Sequence, residues 1–126
     1  MNKQAPVYLN LFKIKLPLTG IVSLLHRVTG VLLFLAIPFS IYLLQMSLKS
    51  KQGFLEALDL VNSPLLIFIE LIIFSALIYH LFAGIRFLIM DSDIGVDLKT
   101  AMTSSWVVII ATVFFSALFL AMRVLS

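Results

Sequence analysis

No cysteine occurs in the 126 residues of this chain. Disulfides, thiolate metal sites and iron–sulfur ligation are therefore excluded at the outset. Charge is nearly as scarce: charged residues make up 12% of the chain against 62% hydrophobic, and mean hydropathy is +1.16. There are only 5 glycines, 4 prolines and 2 histidines. No glycine-rich phosphate loop is present, and no polar stretch is long enough for a soluble domain. No internal repeat or low-complexity segment is seen.

What remains is apolar sequence in three tracts. Residues 28–48 and 100–122 carry no charge, and residues 63–85 carry only Glu70 and His80 among acidic and basic side chains. Each tract has about 20 residues or slightly more, which at ~1.5 Å rise per residue crosses a ~30 Å hydrocarbon core. The fold class expected is an all-α integral membrane protein. Three transmembrane helices are placed at about 21–48, 63–90 and 102–125, within a heteromeric helix bundle. The chain reads as a single membrane-anchor domain, residues 1–126, with a polar N-terminal arm over 1–20. Pro38 should loosen or kink the first helix. Ser63 and Pro64 read as N-cap and first helical position of the second. A short helical turn is expected around Phe54 to Leu60, and Trp106 fits an interfacial anchor.

The net charge of +3 is not a nucleic-acid footprint, because the basic residues sit at the ends of the tracts. Lys3, Lys13, Lys15, Arg86 and Lys99 fall on one side, and Lys49, Lys51 and Arg123 on the other. Five against three places the N-terminus on the cytoplasmic side. The N-terminus lacks the pattern of a signal peptide, so the first tract is expected to be retained. Ser23, His26, Arg27 and His80 then share the cytoplasmic half of the membrane.

Those four residues carry the chemistry available. On a helix Ser23, Arg27 and Gly30 follow one line, with His26 one position off it. A guanidinium near hydrocarbon either snorkels to headgroups or finds a partner. The plain alternative is a snorkelling Arg27 and a Ser23 bonded to its own helix. His80 lies deeper, with Ala76 and Gly84 one turn to either side, which leaves room for a flat ligand such as haem and equally suits close helix packing. With one deep histidine, a six-coordinate haem needs its second axial ligand from another chain. Glu70 reads as an interfacial carboxylate reaching water, and Arg86 with Asp91 as a solvated pair closing the second helix.

The order Ser23-Leu24-Leu25-His26-Arg27-Val28-Thr29-Gly30, followed by His80, Gly84, Arg86 and Asp91 at the spacing H-x-x-x-G-x-R-x-x-x-x-D, resembles the cytochrome b membrane-anchor subunits of succinate dehydrogenase, respiratory complex II. The spacing from Pro6 to Ser23 and the three-helix layout fit as well, so the resemblance covers essentially the whole chain. It implies that His80 is the axial ligand of haem b, and so the ligand of its iron. It places His26 and Arg27 near the haem propionates, and Ser23 and Arg27 at the ubiquinone-reduction site. It further implies a second membrane-anchor subunit supplying the other haem ligand, an iron–sulfur subunit and a flavoprotein subunit. The setting would be electron transport tied to the tricarboxylic acid cycle in a bacterial inner membrane, or alternatively a mitochondrial one. No catalysis is expected of the chain alone. Two positions depart from the pattern: Phe87 stands where many members have His, and Ala5 where Arg usually precedes Pro6. A fumarate reductase anchor and a haem-free structural anchor are the alternatives. A transporter is disfavoured, since neither inverted halves nor a polar pore face is present.

Overall fold

A computed structural model describes residues 16–125. Lys3, Ala5, Pro6, Lys13 and Lys15, on which part of the arm and orientation arguments rest, lie outside the described residues. The chain forms α1 (Leu18–Lys49), α2 (Lys51–Val61), α3 (Pro64–Asp91) and α4 (Leu98–Leu125). α1, α3 and α4 are each long and apolar enough to cross a membrane.

The boundaries follow local chemistry. Pro17 donates no N–H, yet its carbonyl accepts from Gly20 and Ile21 at 2.9 and 3.1 Å, so α1 starts at once behind it. α1 then stays helical through Pro38 to Lys49. Ser63 caps α3, its hydroxyl accepting from Leu66 N at 3.4 Å, with Pro64 at the first helical position as expected.

Besides the start of α1, three residues earlier than the expected 21, two boundaries differ from expectation. The connector after α1 is a complete 11-residue helix rather than a single turn. Ser50 caps it by accepting from Gly53 N at 3.0 Å. A Cβ at Gly53 would stand 2.5 Å from Met46 O, so the lack of a side chain there lets α2 fold back against α1. α4 begins at Leu98, four residues before its expected start at 102, because Asp97 caps it. Its Oδ2 accepts from Thr100 N and Thr100 Oγ1, both at 2.9 Å. Between α3 and α4 the chain turns through Asp93 (φ +60°) and Gly95 (φ +71°). Asp93 N donates to Met90 O and Ile94 N to Ile89 O, closing the carbonyl end of α3.

α3 packs against both α1 and α4. The order is antiparallel: Thr29 meets His80 and Ser40 lies near Glu70, while Arg86 meets Ser104 and Glu70 meets Arg123. The core is thin, built on Val22, Tyr79, Ala83 and Val108 with Phe82, Phe87 and Ile109 against it. Ala76, Ala83, Ala101 and Ser105 are buried at the crossings. Small residues there bring backbones close, which matters where lipid supplies no hydrophobic drive between helices. Phe34, Leu35, Leu65, Leu88 and Val113 are each more than 60% exposed, the surface expected of helices facing lipid or further helices.

Candidate functional site

The start of α1, the end of α3 and the start of α4 meet at one end of the bundle, and the polar residues singled out in the sequence gather there. His26 of α1 and His80 of α3 are stacked, with ring centroids 4.0 Å apart and planes 13° from parallel. Such close approach of two imidazoles depends on two glycines placed reciprocally. A Cβ at Gly30 would lie 3.0 Å from His80 Cε1, and one at Gly84 would lie 3.3 Å from His26 Nε2. The space beside His80 expected to admit a flat ligand is therefore shared out differently: Gly84 makes room for His26, and Gly30 for His80.

The hydrogen bonds of His80 fix its chemistry. Nδ1 lies 3.0 Å from His26 O and 3.2 Å from Thr29 Oγ1. A carbonyl can only accept, so the proton of the neutral ring sits on Nδ1. Nε2 then carries the lone pair, and it makes no hydrogen bond among the described residues. An imidazole anchored through Nδ1–H with Nε2 open is the form of histidine that ligates metals. His26 Nε2 is buried and lacks a partner among the described residues. Phe87 abuts the His26 ring edge-on, centroids 5.3 Å apart. Phe87, one of the two departures from the resembled pattern, thus serves here as an apolar wall.

Ser23 and Arg27 occupy the neighbouring face of α1. Arg27 is exposed and its Nη2 donates to Ser23 Oγ at 3.3 Å. Most other helical hydroxyls here bond back to their own helix, as in Ser40 to Ala36 O and Ser105 to Ala101 O. Ser23 makes no such back-bond, and its hydroxyl hydrogen remains available. The four expected residues thus form two pairs, a half-buried His26–His80 stack and an outward Ser23–Arg27 pair one position away.

Arg86 departs from expectation. It is not in a solvated pair with Asp91 but buried at 5% exposure, while Asp91 is exposed. Its Nε donates to Ser104 Oγ at 2.9 Å and its Nη2 to Ala101 O at 3.0 Å, tying α3 to α4. Its guanidinium carbon lies 5.1 Å from the Phe87 centroid, a cation–π distance. The apolar sequence around Arg86 hid this, since the partners come from the helix after the turn. Glu70 sits at the opposite end, paired with Arg123 at 3.1 Å, and its side chain keeps 40% exposure.

From Gly30 a groove of about 520 Å³ runs along α1 and α3, walled by Leu33, Ile37, Ile73 and Leu77. Its walls are apolar, the surroundings a flat hydrophobic macrocycle needs, and the His80 ring packs against Gly30 at its end. The two stacked rings lie side by side, so His26 and His80 cannot stand on opposite faces of one such ligand. Among the described residues no group of three or more His, Asp or Glu is placed to hold a metal ion.

Residues 1–119 match the family of succinate dehydrogenase/fumarate reductase transmembrane subunits. The chain belongs to this family. It is similar to the succinate dehydrogenase cytochrome b556 subunit of Coxiella burnetii, 37% identical over 114 residues covering 89% of this chain and 90% of that one. The b556 subunit of Rickettsia bellii is 35% identical over 102 residues, covering 80% and 78%. The cytochrome b560 subunit of Reclinomonas americana is 28% identical over 114 residues, covering 86% and 79%.

Proposed function

We propose that the chain is the cytochrome b membrane anchor of a succinate:quinone oxidoreductase, holding haem b through His80 and lending Ser23 and Arg27 to a ubiquinone-reduction site. The observation that carries this reading is the seat of His80. Its Nδ1 is committed to His26 O and Thr29 Oγ1 while Nε2 stays open. The names of the relatives support it, since those proteins are cytochrome b subunits of succinate dehydrogenase rather than fumarate reductase.

When bound, haem b supplies a one-electron store between a reductant and a two-electron acceptor. His80 Nε2 would hold the iron, and a further protein ligand would come from another membrane subunit because His26 is stacked on His80. The unpartnered His26 Nε2 and the Arg27 guanidinium would hold the propionate carboxylates. Ser23 accepts from Arg27 and keeps its own hydrogen to donate to a quinone carbonyl oxygen. Arg27 beside it stabilises the negative charge that gathers on that oxygen as electrons arrive. The flavoprotein and iron–sulfur subunits would oxidise succinate and pass the electrons on. The N-terminus would face the cytoplasm of a bacterial inner membrane, with the site on that side.

The test is a dithionite-reduced minus oxidised spectrum of the purified membrane complex, with succinate-to-ubiquinone and succinate-to-dye turnover measured alongside. A b-type haem band in the complex, diminished or altered by His80→Tyr, is expected. Ser23→Ala and Arg27→Leu should each impair ubiquinone reduction at least tenfold, the loss of about 1.4 kcal/mol of interaction, and leave dye reduction intact. A complex without the band would leave a haem-free structural anchor, and unaltered ubiquinone turnover in both variants would remove the quinone-site assignment.

A further inference from the structure

His80 is held by more than its own helix. Its ring lies against α1 at three points within one turn: the His26 carbonyl and ring, the Thr29 hydroxyl, and the bare Cα of Gly30. Of these, Thr29 is the only side chain that reaches the ring nitrogen. It is buried, at 9% exposure, in a segment where neighbouring Val28 and Arg27 are exposed.

We propose that Thr29 is the positioning residue for His80, its hydroxyl acting as the second acceptor of the Nδ1 proton and so setting the direction and donor strength of Nε2. The hydroxyl oxygen lies 2.9 Å from both Leu25 O and His26 O. It has one hydrogen, so it donates to one of these carbonyls and keeps lone pairs toward His80. Donation to Leu25 O leaves His26 O free to accept from Nδ1 as well, and the Nδ1 proton then faces two oxygens at 3.0 and 3.2 Å. Two acceptors on one N–H hold the ring plane against rotation about its side-chain bonds. They also draw the proton outward, which makes Nε2 a stronger donor toward an electron-poor ligand atom.

The chemistry demands a hydroxyl here. Valine has the same shape but leaves Nδ1 with one acceptor. Serine keeps the oxygen and loses only a methyl group. The inference rests on the haem reading above, and its effect falls on the potential of the bound group rather than on turnover alone. A better donor stabilises the oxidised iron, so removing the hydroxyl raises the reduction potential.

The experiment uses the assembled four-subunit complex with Thr29→Val and Thr29→Ser, measuring haem content, electron paramagnetic resonance g-values and haem midpoint potential by redox titration. Loss of a hydrogen bond of ordinary strength corresponds to a factor of several in an equilibrium. At an ambient potential set to the wild-type midpoint, Thr29→Val should therefore shift the ferrous-to-ferric ratio about threefold toward ferrous and move the g-values. Thr29→Ser should match the wild type in both. Haem lost from the valine variant but kept by the serine variant would carry the same conclusion, since the hydroxyl separates them. An unshifted potential in Thr29→Val, an equal shift in both variants, or haem lost from both would overturn it. Absence of haem from the wild-type complex would instead overturn the haem reading, so the two failures are told apart.

Discussion

Gly30 stands one carbon short of a collision with His80: a Cβ added to it would lie 3.0 Å from His80 Cε1. The ring edge cannot swing away, because Nδ1 is bonded to His26 O and Thr29 Oγ1 and the ring face is stacked on His26. The first signature segment therefore ends in glycine for the sake of a side chain 50 residues further on. α1 and α3 are registered by this contact as much as by their apolar faces.

In an unconstrained helix, glycine to alanine gains about 1 kcal/mol of helix propensity. The contact with His80 predicts the opposite sign for Gly30→Ala, which should cut the haem recovered per complex several-fold in the difference spectrum. Gly84→Ala, where the added carbon would lie 3.3 Å from His26 Nε2, should show a smaller loss. Gly20→Ala is the control. Its new Cβ would meet nothing nearer than 3.6 Å, so haem content should stay at the wild-type level.

The clamp between α3 and α4 makes a separate prediction for stability. Ser104→Ala strips the partner from Arg86 Nε, which is buried and charged, and should destabilise the assembled complex by about 1–3 kcal/mol. Arg86→Ala should cost more, since it also removes the Nη2 bond to Ala101 O and leaves a cavity beside Phe87. Arg86→Lys should rescue little, because a single ammonium cannot reproduce the two directed bonds of the planar fork. Thermal unfolding in detergent followed by circular dichroism checks the order. A lysine variant as stable as the wild type would show that charge alone suffices.

How much of this was legible follows from where the information lies. The three spans and the Ser63–Pro64 start of α3 are local properties, and the hydropathy and cap residues displayed them. The first polar cluster was visible as a helical line because Ser23 and Arg27 are four residues apart and touch within one helix. Asp97 was also readable, as a cap three residues before Thr100, but the apolar run drew the start of α4 too far along. The stacking of His26 on His80 and the burial of Arg86 could not be seen from spacing. They depend on register between helices, and register is set by small residues and contacts far apart in sequence. Thr29 lay inside the recognised segment, yet its role needed His80 to be placed against it.

Glu70 is predicted to be dispensable for turnover. Its carboxylate pairs with Arg123 at 3.1 Å, at the end of the bundle opposite the histidines. The side chain is 40% exposed, so the pair is screened and its loss should cost under about 1 kcal/mol. Arg123→Ala should cost more, because Arg123 also donates to Asn62 Oδ1 and Val61 O at 3.1 and 2.9 Å, fastening α4 to the end of α2. Glu70→Gln should leave ubiquinone reduction at the wild-type rate. A tenfold fall in that rate would assign Glu70 to proton delivery instead.

The turn before α4 carries a pH dependence of known sign. Two hydrogen bonds hold the Asp97 carboxyl below its ordinary value of 3.8, the larger effect coming from Thr100 N and the smaller from the Thr100 hydroxyl. The folded value lies below the unfolded one. The contribution of the cap is therefore full above the ordinary carboxylate range and is lost as pH falls through the lowered folded value. Amide hydrogen exchange at Thr100 and Ala101 reads this end of α4 directly. Protection should hold from neutral pH down to about 4 and fall away below it, once the intrinsic exchange rate is corrected for. Asp97→Asn keeps an acceptor oxygen without the charge, so protection should persist with no acid transition. Asp97→Ala should remove protection at every pH, and an unchanged exchange rate in that variant would mean that packing of Ala101 under Arg86, not the cap, fixes the start of α4.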